Sequence, residues 1–261
     1  MITQKERDFL AGLRLIDDIF MTECLKDISC AEIVLRVILD KPDLIVKTSR
    51  TQEKLSSWER AIWLDVYAVD SEGKQYNIEI QRADDGADIR RARFHSAMLD
   101  VNSLNKREDF KLLSDSYVIF ITEHDIFKLN LPLYTIHRHI DETGDAVNDG
   151  THIIYVNGAL RDPSTSLGRL MQDFFERDPK KINYPVLKSR ISSIKNTEEG
   201  SDSMSNLYES IAERSKLEIA TNLIKAGSIS LNLISECVGI SLEKIQQLAQ
   251  SVNSDTSENK S

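Results

Sequence analysis

The chain has 261 residues, 41% hydrophobic and 29% charged, a composition that gives a soluble globular protein with room for one large domain and a small appendage. A net charge of −9, from 33 Lys and Arg against 42 Asp and Glu, argues against broad adhesion to nucleic acid or to an anionic membrane but leaves room for a local basic groove. Cys24, Cys30 and Cys237 form no CxxC pair, so neither a disulfide framework nor a zinc knuckle is indicated, and reduced structural thiols are expected.

Residues 5–39 read as helical, with polar interruptions around "KDIS". "CAEIVLRVIL" recurs as a helix packed on most sides, with Glu32 in its first turn, and Pro42 ends it. "LIVKT" (44–48) is a short strand, and 61–69 and 75–82 are two more. Residues 88–104 form a helix with Asp88 as N-cap and an apolar stripe of Phe94, Ala97, Met98, Val101 and Leu104. "SYVIFIT" (116–122) is a buried strand, 133–140 and 152–158 are strands, and 165–176 and 184–196 are helices. The densest apolar stretch, "YVIFI" at 117–121, is strand-sized and too short to span a membrane. The N-terminus lacks the apolar core of a signal peptide. A cytoplasmic protein without membrane partners is therefore expected.

The pair 61–69 and 75–82 raises a question of charge. "SEG" (71–73) suits a three-residue hairpin loop, with Gly73 at the position that needs positive φ. Opposed residues then sum to 144, which sets Asp65 across from Glu79 with β-carbons roughly 4.5–5.5 Å apart. Gln81 shares their face, and Ile62, Leu64, Val66, Ala68, Ile78 and Ile80 form the other, the core face. Opposed carboxylates repel. Solvation or pairing with Arg or Lys would relieve them. A glycosidase-type acid–base pair would need a sugar cleft, of which there is no sign. A hard-oxygen site for Mg²⁺ or Mn²⁺, using both acids and an intervening backbone carbonyl, is the third reading.

"WLDVYAVDSEGKQYNIEIQR", "RRARFHSAMLDVNSL", "YVIFITEHDIF" and the earlier "LRLIDDIFMTECL" resemble the PD-(D/E)XK nuclease superfamily, in particular its branch of Rpn family recombination-promoting nucleases or putative transposases. The likeness spans about residues 8–200. It implies an α/β, restriction-endonuclease-like core, a mixed β-sheet flanked by helices, with a C-terminal helical appendage. It implies a metal-dependent DNA endonuclease with a role in recombination or mobile elements. Asp65 and Glu79 would be metal ligands together with the carbonyl of Ile80, and Gln81 would stand where the wider superfamily has Lys. Glu32 matches the accessory acid found on the first long helix. Arg90, Arg91 and Arg93 open the next helix and are the phosphate-holding candidates, Arg90 and Arg93 first, with Arg90 sharing a face with Phe94 and Ala97. The rival reading is a non-catalytic DNA-binding or assembly protein that kept the fold. His137 and His139 alternate on one strand but lack a nearby acid cluster.

Beyond the domain at 1–200, "KNTEEGSDSMS" (195–205) reads as a linker. Residues 206–250 read as helix, turn, helix, turn, helix, with Gly227 and Gly239 at helix ends and Ser230 and Ser241 at helix starts. "ISECVGISLEKI" resembles a helix-turn-helix. Its second helix offers Lys244, Gln246, Gln247 and Gln250 but no Arg, so a packing or dimerising appendage suits it better than DNA reading. The resemblance leaves a homodimer open. Residues 251–261 are almost wholly polar and are expected to be disordered.

Overall fold

A computed structural model describes residues 4–56, 61–82, 84–196 and 200–258. Three helices open the chain, α1 (Gln4–Gly12), α2 (Asp18–Leu25) and α3 (Ile28–Leu39). Asp27 caps α3 by accepting from the Ser29 N–H, and Asp40 ends it in the left-handed region. The helical stretch is broken at Asp27, within the expected interruption at "KDIS", and also at Asp17, where α2 starts. Strand β1 (Val46–Ser56) is twice the length expected from "LIVKT", because its later half is polar and exposed in alternation. It pairs antiparallel with β2 (Ala61–Asp70), which pairs antiparallel with β3 (Gln75–Gln81).

The hairpin register is the one that the loop dictates. Val66 faces Ile78 and Val69 faces Gln75, and Gly73 has φ +83°. A 3-10 turn over Asp84–Ala87 then leads to α4 (Ile89–Ser103), which Asp88 caps through the Arg90 N–H. Strand β4 (Ser116–Thr122) runs parallel to β3 residue for residue, from Gln75 beside Ser116 to Gln81 beside Thr122. After β5 (Leu133–Ile136), a small ribbon of β6 (Arg138–His139) and β7 (Ala146–Val147) precedes β8 (Thr151–Asn157). Among the described residues the main sheet has six strands in the order β1-β2-β3-β4-β8-β5, parallel in its centre and antiparallel at both edges.

Helix α4 packs on β4 and β8, over a core that includes Val118, Phe120, Tyr155, Met98 and Leu99. Helices α2 and α3 pack on the sheet from β1, and α5 (Ser166–Phe175) and α6 (Pro185–Asn196) pack against them. β3 and β4 are consequently buried at nearly every position. In β4 that burial matches its continuous apolar run. In β3 it does not, because Gln75, Asn77 and Glu79 are buried polar residues.

The sheet and the helices around it form one compact unit, Met1–Ser201, and Asp202–Ser261 forms a second. In the second unit α7 (Gly200–Ala226), α8 (Leu231–Val238) and α9 (Leu242–Glu258) gather around Ala220, Ile234, Val238 and Ile245. Gly227 and Gly239 both have positive φ, and Ser230 caps α8. Helix α7 already includes 200–205 of the expected linker, while 197–199 lie outside the described residues. Helix α9 runs on to Glu258, through most of a stretch whose composition suggested disorder, and 259–261 lie outside the described residues. Among the described residues no helix is long and apolar enough to cross a membrane. Cys24 and Cys30 are buried with their thiols pushed up by burial, Cys30 to about 12, and Cys237 is exposed.

Candidate active site

The β2–β3 ladder stops at Val66 and Ile78. One step further the backbones no longer pair with each other, and the two acids bridge the gap. Glu79 Oε1 accepts the Asp65 N–H over 3.2 Å, and Asp65 Oδ2 accepts the Ile80 N–H over 3.2 Å. Each carboxylate thus replaces a backbone acceptor on the opposite strand. Ile80 turns its N–H, and by strand alternation its carbonyl, toward Asp65. The structure brings Asp65, Glu79 and Ile80 together.

Glu79 is fully buried and Asp65 half-buried. Burial first, and then the charge of Asp65, push the Glu79 carboxyl up to about 8, only partly offset by the Asp65 N–H, Arg91 and Asn77. A second cation beside the two acids would relieve the repulsion that remains.

Helix α4 supplies the first cation, from Arg91 rather than from Arg90, whose face was expected to turn inward. Its buried face is Ala92, His95, Ser96, Met98 and Leu99, whereas Ala97 and Val101 are exposed. The helix is therefore rotated from the stripe read in the sequence, because its buried face carries polar partners for the polar row of β3. Arg90, Arg91 and Arg93 are all exposed, but Arg91 turns its guanidinium inward to the acidic pair. Its Nη2 donates to Glu79 Oε2 over 3.3 Å, and its Nη1 donates to the Gly86 carbonyl over 3.2 Å.

His95, one turn further along α4, lies beneath. Burial, then the charge of Arg91, lower its pKa to about 4, so the ring is neutral. It sits between two N–H donors, Asn77 Nδ2 at 3.0 Å and Arg91 Nε at 3.4 Å. A neutral imidazole accepts at one nitrogen only. The tautomer that accepts from Arg91 turns its Nδ1–H toward Glu79 Oε1, 3.6 Å away. Asn77 Oδ1 is buried without a hydrogen-bond partner among the described residues, an orphaned polar atom one strand period from Glu79.

Gln81 ends β3, and its amide fills the space beside Gly86, where a β-carbon would lie 1.7 Å from Gln81 Oε1. The glycine admits the glutamine, and its carbonyl holds Arg91. Beyond Gln81, Arg82 bridges Asp17 and Glu123, each over 3.0 Å, at the same end of the sheet.

Glu32 is not brought to this site. Its Oε2 accepts the Val46 N–H over 2.9 Å and its Oε1 pairs with Arg36 over 2.8 Å, which ties α3 to the start of β1. Val46 pairs with Asp70, five residues and roughly 16 Å along β2 from Asp65. The accessory-acid expectation is corrected accordingly: the Glu32 carboxylate closes a loop. His137 and His139 are exposed and remote in the sheet order, and the chain leaves the strand at His137.

Among the described residues no group of three or more His, Cys, Asp and Glu side chains gathers to hold a metal ion. Two carboxylates and a strand carbonyl do fit Mg²⁺ or Mn²⁺, which commonly take one or two protein carboxylates and complete their shell with water and substrate phosphate. The repulsion between the acids agrees with that fit.

Sequence reasoning missed Asn77 and His95, and it named Arg91 as a phosphate candidate without its pairing to Glu79. Asn77 had a signal, a polar residue two before Glu79 on the same strand face. Arg91 and His95 had one as well, since they are four apart and share a helix face. No curated protein and no solved structure matches the chain. Residues 35–158, which run from within α3 to the end of β8 and include every residue of the acidic pair and its cover, match the family model described as PD-(D/E)XK nuclease family transposase. Over that stretch, just under half of its length, the chain is similar to the PD-(D/E)XK nuclease family transposases.

Proposed function

We propose that the protein is an endonuclease that hydrolyses DNA phosphodiester bonds with the help of Mg²⁺ or Mn²⁺, in recombination or in the movement of mobile elements. The observation that carries this reading is the Asp65–Glu79 pair, set where the ladder opens, with each carboxylate on the other strand's backbone. Asp65, Glu79 and the carbonyl of Ile80 would hold the cation. Bound there, the cation would activate water and offset charge on the scissile phosphate. Gln81, uncharged, orients water or a phosphate oxygen through its amide. Helix α4 roofs Glu79 and keeps solvent from its inner side. Arg90 and Arg93 are exposed at the helix start, where they can meet DNA backbone.

The rival, a DNA-binding or assembly protein that retains the fold without cleavage, is favoured by one observation. Gln81 supplies no charge, and its side chain is packed against Gly86. In the tail, Lys244 is paired with Glu213, which favours a packing or dimerising role for α9 over phosphate contact. Nicking of supercoiled plasmid separates the two readings. Cleavage with Mg²⁺ or Mn²⁺ that is lost with chelator and in Asp65→Asn supports the nuclease. DNA retention without cleavage under every metal condition supports the rival.

A further inference from the structure

The Arg91 guanidinium has an inner and an outer side. On the inside it holds three groups: the Glu79 carboxylate, the Gly86 carbonyl and the ring of His95. On the outside it meets solvent, since the side chain is 42% exposed while the carboxylate it touches is 0% exposed. A guanidinium has five N–H donors, so the three inner contacts leave two for another acceptor. Arg91 pairs with Glu79 of the acidic pair over 3.3 Å.

We propose that Arg91 couples cation binding to DNA binding, its inner side paired with Glu79 and its outer side taking a backbone phosphate of the substrate. The inference rests on the nuclease reading and goes beyond it. Two consequences of opposite sign follow. Without DNA, Arg91 already neutralises part of the Glu79 charge and repels an incoming cation, so it weakens metal binding. With DNA, the phosphate draws on the same guanidinium, relieves that repulsion and is itself held. By linkage, each ligand then strengthens the other. Binding groups that merely support the fold have no such opposed effects.

The experiment measures Mn²⁺ binding by calorimetry without DNA, and duplex oligonucleotide binding by fluorescence anisotropy in EDTA, where cleavage is suppressed. Wild type, Arg91→Gln and Arg91→Lys are compared, with thermal melting as the control for folding. Arg91→Gln is expected to bind Mn²⁺ more tightly, by about 5–10-fold, at the low end of ordinary coupling between sites. It is expected to bind the duplex more weakly by a similar factor. Arg91→Lys keeps the charge, so its Mn²⁺ affinity stays near wild type and part of the DNA affinity returns. Mn²⁺ binding that is unchanged or weaker in a folded Arg91→Gln overturns the inference, as does unchanged DNA binding. If Arg91→Gln does not fold, Arg91→Lys decides: equal loss of both affinities is a structural effect and overturns the proposal. Wild type that binds Mn²⁺ and DNA while the variants change neither removes this inference alone. Wild type that binds neither removes the nuclease reading with it.

Discussion

The β2–β3 hairpin buries an acid at each end, and the two ends treat it differently. At the turn end, Asp70 is 8% exposed. It accepts from the Glu72 and Lys74 N–H groups over 2.8 and 2.9 Å and from the Tyr76 hydroxyl over 2.6 Å. At the open end, Glu79 receives longer bonds, 3.2 Å from the Asp65 N–H and 3.3 Å from Arg91, and stands across from a second carboxylate. Burial of a carboxylate is therefore not in itself a sign of function. A buried acid with short bonds from neutral donors closes a turn. A buried acid with long bonds and a like-charged neighbour awaits a ligand. Asp173 follows the first pattern, with three bonds of 2.7–2.9 Å from Asn183 and Tyr184.

The largest expected effect lies at the turn end. Asp70→Ala leaves three donors without their acceptor and should cost about 3 kcal/mol, at roughly 1 kcal/mol per bond. Urea denaturation should show that loss with and without Mn²⁺. A metal-dependent loss would break the contrast, because it would place Asp70 in the metal's reach.

At the open end the sign should reverse. Glu79→Gln removes a buried carboxyl whose charged form burial and Asp65 both disfavour, so metal-free stability should hold or rise while the response to Mn²⁺ disappears. The pH dependence follows the same logic. The folded pKa of Glu79, about 8, lies above its ordinary 4.5. Between those values the folded state holds a proton that the unfolded chain has released, so the contribution of Glu79 to stability falls as pH rises from 4.5 to about 8. The difference in melting temperature between Glu79→Gln and wild type, in chelator, should therefore grow in favour of the variant over that window. A flat difference curve would show that Arg91 alone satisfies Glu79.

A smaller effect is expected at Gly86. An added β-carbon meets the far end of the Gln81 side chain at 1.7 Å, and that end can move. Gly86→Ala should cost about 1 kcal/mol or less in denaturant, within the usual range of single substitutions. Its effect on plasmid nicking should exceed its effect on stability if the Gln81 amide orients the reaction. The smallest effect on the sheet unit should come from deletion of 206–261, since among the described residues every strand lies within Met1–Ser201. The truncated chain should keep a cooperative melt, and its aggregation would assign the tail to the core.

Much of the hairpin was legible in the sequence. Gly73 fixed the loop, the loop fixed the register, and the register set Asp65 near Glu79. Helix α4 was legible in extent but not in rotation. Its inner face carries His95 and Ser96 rather than a full apolar stripe, so hydrophobic periodicity pointed to Ala97 and Val101, of which Val101 is 60% exposed. That rotation exchanged Arg90 for Arg91. The burial of the polar row of β3 was equally hidden, because alternation looks the same whether the polar face meets water or a helix with polar partners. Glu32 misled for a third reason. A helix carboxylate in the right part of the chain can be committed to a distant backbone N–H, and here that group is Val46.

The central claim is that Asp65 and Glu79 together hold a divalent cation. Its most direct test is the melting temperature of wild type and Asp65→Asn across a Mn²⁺ titration in chelator-treated buffer. The account predicts a saturable rise for wild type, worth about 2.7 kcal/mol at a hundredfold excess over Kd, and none for Asp65→Asn. A wild type whose stability ignores Mn²⁺, or an Asp65→Asn protein that responds as wild type does, would contradict it.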